Sequence, residues 1–188
     1  RDYQEAFENC QRIGAEEGLA LVHAYDDPAV IAGQGTVGLE LAAHDIDTVL
    51  VGIGGGGLIA GLAAALKQAK PGVRVIGVQP EGADSMVRSV KAGRITPVEQ
   101  VRTIADGLGA RMPGEHTLSL TAQYVDELRT VSDETILSAM GTLLQAERIV
   151  AEPAGAAALG ALLRDGADGL GRVAVVISGA NIADSVLA

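Results

Sequence analysis

Four consecutive glycines separate a buried strand from a helix in the segment VGIGGGGLIAGLAAAL, which begins at Val51. The continuous apolar run at residues 47–53 predicts the strand, and apolar residues at helical intervals predict a helix over residues 58–70. Pro71 and Gly72 end this helix, and VRVIGV after them predicts another buried strand. A strand, a tight turn, a helix and a second strand make a βαβ unit, and such units build parallel sheets that helices cover.

The same alternation extends in both directions along the chain. Helical spacing over residues 3–19, a strand at residues 20–25 (ALVHAY) and a helix over residues 29–43 precede the unit. After it, Ser132 and Asp133 are typical of an N-cap region before a long helix, and AGAAALGALLRDG predicts a helix before the strand RVAVVIS. The pattern predicts an α/β fold with an open, mostly parallel twisted sheet and helices on both faces.

Two stretches give weaker signals. Residues 81–100 read as a helix and a loop, and residues 105–120 read mostly as a loop; both are candidates for lining a site. No repeat or Pro/Ser-rich linker marks a boundary, so residues 1–188 predict one α/β domain. Because the chain opens inside a polar helical pattern without an initiator Met, we expect that an upstream segment is missing.

The overall composition argues against several classes of function. Aromatic residues make up 2% of the chain and the net charge is −10, whereas nucleic-acid binding depends on cationic and stacking side chains. No apolar run reaches the length of a membrane span, and the polar opening is unlike a signal peptide. Cys10 is the only cysteine, which excludes an internal disulfide. We expect a cytoplasmic protein with no nucleic-acid and no membrane partner.

The glycine loop (residues 54–57) favours an anionic ligand. At a helix N-terminus the bare N–H groups and the helix dipole attract a phosphate, which glycine lets the backbone approach closely. A turn that only packs the helix on the sheet is the plain alternative. The absence of a following Lys-Ser/Thr excludes a P-loop, whereas Gly52, Gly54 and Gly57 match a Rossmann fingerprint whose acidic partner, Glu81, comes late.

A family resemblance rests on two motifs in order. DDPAVIAGQGTVGLEL followed by VGIGGGGLIAGLAAALK resembles the serine/threonine dehydratases, a branch of the fold-type II enzymes that use pyridoxal 5'-phosphate (PLP). The likeness continues through VRVIGVQPEGADSM, TIADGLG, RIVAEPAGAAALGALL and VVISGAN, so it covers essentially the whole chain. It implies the tryptophan synthase β-like fold and PLP as the cofactor.

The resemblance also implies site residues. Backbone amides of five residues are expected to hold the cofactor phosphate: Gly54, Gly55, Gly56, Gly57 and Leu58. Ser178 matches the hydroxyl that meets the pyridine nitrogen, a neutral partner that favours elimination over transamination. Glu152 matches a glutamate near the ring, and Gly179 and Asn181 lie in the turn that presents Ser178. A helix N-terminal acid and an ordinary turn residue stay open as alternatives for Glu152 and Asn181.

Two positions depart from the family pattern. The chain reads SGAN where the family usually has SGGN, so a positive φ at Ala180 would strain the turn. Gln79 and Ser85 stand where some relatives have acidic ligands of a divalent metal beside an alanine carbonyl, here that of Ala83. We therefore expect no metal at this position.

The family's Schiff-base lysine belongs to a motif upstream of this segment, as does its substrate-carboxylate loop. Lys67, Lys70 and Lys91 are the lysines present, and their polar contexts are typical of solvated surface charge. The resemblance thus assigns no catalytic residue to this chain, which we expect to be inactive alone. The histidines have no metal or base spacing and are predicted in a strand, at a helix end and in a loop: His23, His44 and His116.

For the complete enzyme the resemblance implies dehydration and deamination of a small hydroxy amino acid, L-threonine or L-serine, to a 2-oxo acid and ammonia. A serine or aspartate racemase shares the motifs and is the nearest alternative. A cofactor-free fragment or partner without catalysis and an NAD-binding Rossmann domain are the others. Because a missing segment would leave apolar surface uncovered, we expect a homodimer.

Overall fold

The computed structural model describes residues 3–182. One or two helices separate successive strands in this part of the chain. The helices are α1 (Tyr3–Glu17), α2 (Pro28–Ala42), α3 (Gly57–Ala69), α4 (Ser85–Ala92), α5 (Glu115–Tyr124), α6 (Asp133–Thr142) and α7 (Pro153–Asp165). The strands are β1 (Thr48–Gly52), β2 (Arg74–Pro80), β3 (Glu127–Val131) and β4 (Val173–Val175). A π-helical turn at Leu143–Glu147 continues α6.

The strands form one parallel sheet in the order β3-β2-β1-β4. Leu50 of β1 pairs with Ile76 on one side and with Val175 on the other. The chain first builds β2 and β3 on one side of β1 and then crosses to its other side for β4. A topological switch point therefore lies between β1 and β4, and the predicted α/β fold with a parallel sheet is confirmed.

Helices pack on both faces of the sheet, as expected. Val49 and Val51 point into a cluster that contains Ile59 and Leu62 of α3. Leu50 points the other way, into a cluster built largely from α6 and α7. Successive side chains of a strand face opposite sides, so a central strand between two helical layers must be apolar at every position. All of β1 is buried accordingly.

The prediction of a strand at residues 20–25 is wrong. Leu21 and Val22 are 45% and 68% exposed, and this segment joins no sheet among the described residues. The His23 Nδ1 atom accepts hydrogen bonds from the N–H groups of Tyr25 (3.2 Å) and Asp26 (3.0 Å). The backbone turns around this imidazole, and a turned backbone cannot extend beside a neighbouring strand.

The helix predictions hold with one exception. The hydroxyl of Ser132 accepts the Thr135 N–H and caps α6 as predicted. However, α5 begins at Glu115, inside a stretch predicted to be mostly loop. No helix in the described part of the chain combines the length and the apolar character that crossing a bilayer requires.

Candidate functional site

A cavity of about 320 Å³ opens where β1 and β4 end. Open α/β sheets bind ligands outside the carboxyl ends of their strands, at the point where the strand order reverses. Its walls include the glycine loop, a loop at residues 106–110, Tyr25, Glu152 and Ser178. The structure thus brings residues 54–58, Glu152 and Ser178 together in one cavity, although they are distant in sequence.

The glycine loop presents unpaired backbone donors to this cavity. Among residues 3–182, no atom accepts a hydrogen bond from the N–H groups of residues 54–58. Gly56 is the N-cap of α3, with φ of +100° and no side-chain cap. These donors and the positive end of the α3 dipole point to an anion, because unpaired N–H groups at a helix N-terminus attract negative charge.

The requirement for glycine arises mainly from close packing against neighbouring residues. A Cβ atom on Gly55 would overlap the Tyr25 ring, and one on Gly57 would lie 3.0 Å from the Tyr25 Cα atom. A Cβ atom on Gly56 would lie 2.5 Å from the Met86 Cε atom and 2.9 Å from the Thr117 Cβ atom. Close packing therefore explains part of the requirement for glycine, as the alternative of a packing turn proposed, and the N–H groups of the loop remain unpaired.

Ser178 enters the cavity wall from β4. The Val176 N–H donates to the Leu50 carbonyl at 3.0 Å, which continues the pairing of β4 with β1 past the end of the strand. Ser178 follows two residues later, is exposed, and lies in the lining. Its hydroxyl has no hydrogen-bond partner among the described residues, so it is available to a polar atom of a ligand.

Glu152 is the N-cap residue of α7, yet its side chain caps nothing. The carboxylate lies directly over Gly179, where a Cβ atom would overlap its Oε1 atom. The Glu152 N–H also donates to the Gly179 carbonyl at 3.1 Å. Glu152 thus lies at the N-terminus of α7, where the alternative of a helix N-terminal acid also places it, and Gly179 acts as the bare surface that lets this carboxylate reach the cavity wall.

The remaining residues of the SGAN turn lie outside the lining. Gly179 contacts Glu152 but does not border the cavity, and Asn181 is exposed beyond it. Ala180 does not adopt a positive φ, so the strain considered for SGAN is absent. For Asn181 the structure supplies a turn position and no contact with the other predicted residues.

No cationic side chain of residues 3–182 lines the cavity. Its charged lining residues are the carboxylates Asp106 and Glu152. An anion bound here would depend on backbone N–H groups and helix dipoles, which act without a counter-charge from Lys or Arg.

The three lysines lie away from the cavity. Lys67 donates to Asp126 at 2.9 Å, Lys70 donates to the His44 carbonyl at 2.6 Å, and Lys91 is exposed. Lys67 is more enclosed than the sequence indicated, since 17% of its side chain is exposed. Burial raises the pKa of Asp126, but hydrogen bonds from Lys67 and a backbone N–H outweigh it and hold this pKa below its ordinary value.

The side chains at the two positions considered for metal ligands form hydrogen bonds within the protein. The buried Gln79 accepts the Val87 N–H at 3.0 Å, and the buried Ser85 donates to the Ala110 carbonyl at 3.0 Å. Over residues 3–182 the structure groups no three His, Cys, Asp or Glu side chains in a manner suited to a metal ion.

The histidines have structural positions. His23 anchors a turn and contacts the rings of Phe7 and Tyr25, which replaces its predicted place in a strand. His44 follows the end of α2 as predicted. His116 lies in α5 and not in a loop.

Sequence reasoning missed two residues that support the glycine loop. Tyr25 packs its ring on Gly55 and donates from its hydroxyl to the Met112 carbonyl at 3.2 Å. Thr117 is fully buried and donates to the Gly55 carbonyl at 2.8 Å. Both contacts join distant parts of the chain, so no local pattern could reveal them. Residues 106–110, by contrast, lie in a loop already expected to line a site.

Comparison with known proteins connects this geometry to a family. The family described as "Pyridoxal-phosphate dependent enzyme" matches residues 1–179. L-threonine ammonia-lyase of Thermotoga maritima is 45% identical over 183 residues, which cover 96% of this chain and 45% of that protein. The catabolic L-threonine dehydratase TdcB of Escherichia coli K12 is 41% identical over 186 residues, covering 96% and 56%.

Solved structures agree with these relatives. The threonine deaminase of T.th. superposes with a TM-score of 0.87 at 44% identity, over 92% of this chain and 65% of that one. Maize serine racemase gives a TM-score of 0.89 at 36% identity, over 94% and 56%. The chain spans about half the length of the curated relatives it matches.

Proposed function

The chain belongs to the family of pyridoxal-phosphate dependent enzymes, and we propose that it forms the phosphate-binding and ring-binding part of an enzyme that converts L-threonine or L-serine to a 2-oxo acid and ammonia. The observation that carries the proposal is the set of unpaired N–H groups at residues 54–58, facing the same cavity as Ser178. The identity of 45% and 41% to a threonine ammonia-lyase and a threonine dehydratase supports this reaction.

The described residues fit the cofactor. The N–H groups of the glycine loop would bind its phosphate, because the described part of the chain places no cationic side chain in this wall to take that role. The Ser178 hydroxyl would meet the ring nitrogen, and Glu152 would lie near the ring from the N-terminus of α7. When bound, pyridoxal phosphate draws electrons from the α-carbon of an amino acid. A neutral hydroxyl at the ring nitrogen limits that withdrawal and favours elimination.

The cavity contains no lysine, so we propose that this chain contributes binding and not proton transfer. The Schiff-base lysine and the substrate-carboxylate loop would come from the upstream segment that the family resemblance implies. Activity of the isolated chain is therefore expected to be absent, and the homodimer and the cytoplasmic location stay predictions. Family membership favours pyridoxal phosphate over the nicotinamide dinucleotide considered from the glycine pattern.

Binding is tested with pyridoxamine phosphate and pyridoxamine. Both carry an amine where the cofactor has an aldehyde, so neither forms a Schiff base with a surface lysine. Calorimetric titration of the chain should show at least about tenfold tighter binding of the phosphorylated compound. Equal affinity for the two compounds, or binding of neither, would show that the chain has no phosphate site and would contradict the proposal.

The reaction is tested with a fusion. The chain is assayed alone and after joining to the upstream segment of the Thermotoga maritima relative, with L-threonine and L-serine as substrates. We expect a 2-oxo acid from the fusion only. The likeness to maize serine racemase, at a TM-score of 0.89, makes racemisation the second candidate. D-serine formed without a 2-oxo acid would favour racemisation over dehydration.

A further inference from the structure

We propose that Thr117 is a positioning residue for the glycine loop, because its hydroxyl fixes the Gly55 carbonyl and so turns the Gly56 N–H towards the cofactor phosphate. The inference rests on the proposed function of this loop. The Thr117 Oγ1 atom donates to the Gly55 carbonyl at 2.8 Å. Thr117 does not line the cavity and would act only through the loop.

A single peptide group joins the Gly55 carbonyl to the Gly56 N–H. In a trans peptide the C=O and N–H groups point in opposite directions, so a carbonyl fixed at one side directs the next N–H to the other side. The described part of the chain contains no cis peptide bond. Gly56 has φ of +100°, a conformation that few residues other than glycine adopt. The orientation of this peptide is therefore one that the fold must enforce.

The Thr117 hydroxyl is itself held in place. Its oxygen accepts the Gly114 N–H at 2.9 Å, and its proton has the Gly55 carbonyl at 2.8 Å as a nearer acceptor than the Gly114 carbonyl at 3.3 Å. The Thr117 N–H donates to Asp26 at 2.9 Å, which fixes the first turn of α5. Since the side chain is fully buried, water cannot replace it as the donor to Gly55.

Gln79 supports the same arrangement one peptide earlier. Its Nε2 atom approaches the Gly54 carbonyl at 3.5 Å, while its Oε1 atom accepts the Val87 N–H at 3.0 Å. The longer distance makes this contact the weaker one. Two buried side chains thus lie behind successive carbonyls of the loop, with Thr117 the stronger support.

The experiment compares three variants with the unmodified chain. Thr117→Val keeps the shape of the side chain and removes the hydroxyl, whereas Thr117→Ser keeps the hydroxyl. Thr121→Val is the matched control, because Thr121 lies in the same helix, is 1% exposed, and has a hydroxyl without a partner among the described residues. Pyridoxamine phosphate and pyridoxamine are titrated against each variant, and circular dichroism verifies folding.

We expect Thr117→Val to weaken pyridoxamine phosphate binding about tenfold and to leave pyridoxamine binding unchanged. Thr117→Ser and Thr121→Val should stay within about twofold of the unmodified chain. In NMR spectra, the phosphate of pyridoxamine phosphate should shift the resonance of the Gly56 amide proton downfield in the unmodified chain. No such shift is expected in Thr117→Val.

The outcomes separate the two ideas. If the unmodified chain does not prefer the phosphorylated compound, the proposed function fails. If it does and Thr117→Val retains the full preference, the positioning role of Thr117 is overturned. An equal loss in Thr121→Val would also overturn it, because the effect would then follow from any change inside α5. If Thr117→Val does not fold, Thr117→Ser decides. A preference for pyridoxamine phosphate within about twofold of that of the unmodified chain still supports the positioning role, and a complete loss of this preference contradicts it.

Discussion

The carboxylate of Asp26 accepts the backbone N–H of Thr117 at 2.9 Å, across 91 residues of sequence. It also accepts the Glu115 N–H at 3.1 Å, so a side chain that precedes α2 caps α5. Asp27, the next residue, caps α2 by accepting the Ala29 N–H at 2.7 Å. Two adjacent carboxylates thus start two different helices, and only the helix capped by Asp26 supports the glycine loop.

Replacing Asp26 with Ala should affect both stability and binding. Loss of an N-cap lowers the free energy of unfolding by about 1–2 kcal/mol, and the displaced first turn of α5 should weaken pyridoxamine phosphate binding. Urea denaturation and titration measure the two effects. Asp27→Ala should lose similar stability with unchanged binding. Equal binding loss in both variants would show that the caps act on the site only through general destabilisation.

Replacing Gly56 with Ala should disrupt the loop. The new Cβ atom would stand in a positive-φ conformation and 2.5 Å from the Met86 Cε atom. We expect a loss of about 2 kcal/mol of stability or more, together with loss of the preference for pyridoxamine phosphate over pyridoxamine.

Gly33→Ala is the control for the Gly56 variant. Gly33 is exposed within α2, and a Cβ atom there would meet nothing within 4 Å. This substitution should raise the free energy of unfolding by about 0.5–1 kcal/mol and leave binding unchanged. An unchanged phosphate preference in Gly56→Ala would contradict the assignment of the loop.

Replacing Ser178 with Ala should give a different pattern of loss. Ser178 is proposed to meet the ring and not the phosphate, so both pyridoxamine compounds should weaken by a similar factor of about fivefold. Ser138→Ala, at an exposed position of α6, is the matched control and should change neither affinity. A loss confined to the phosphorylated compound would place Ser178 at the phosphate and overturn its predicted role.

Much of the fold follows from local patterns. The apolar run of β1, the glycine turn and the spacing of α3 each contain their own signal, and the structure confirms all three. ALVHAY has the composition of a strand, but composition does not report whether a partner strand is present. His23 instead draws the following backbone into a turn, and this competing hydrogen bond decides the local structure.

The site divides in the same way. The family motifs predict site roles for the glycine loop, Glu152 and Ser178, and these residues line one cavity. The pairing of β4 with β1 explains why Ser178 lies beside the glycine loop. Tyr25 and Thr117 support the loop through contacts between distant segments. The sequence around each of these residues contains no pattern that indicates such a contact. The sequence therefore predicts the residues of the loop better than the residues that support it.

The ion pairs of Arg129 indicate how the free energy of unfolding depends on pH. Its Nε atom donates to Glu127 at 2.6 Å and its terminal nitrogen lies 3.2 Å from Asp165. The hydrogen bond from Arg129 lowers the pKa of Glu127 below its ordinary value of 4.5, and a hydrogen bond from Arg164, with a smaller contribution from Arg129, lowers the pKa of Asp165. A lowered pKa in the folded state stabilises the fold above the ordinary pKa and ceases to do so as the pH falls through the lowered value.

Arg129→Gln should therefore lose about 1 kcal/mol of stability at pH 7, and the difference from the unmodified chain should shrink as the pH falls below about 4.5. Urea denaturation between pH 7 and pH 3 measures this difference. Arg12→Gln is the control, because Arg12 and Glu16 form an exposed pair within α1 and should contribute less than about 0.5 kcal/mol at any pH. A difference for Arg129→Gln that stays constant down to the lowest pH would mean that its side chain stabilises the fold by packing and not by charge.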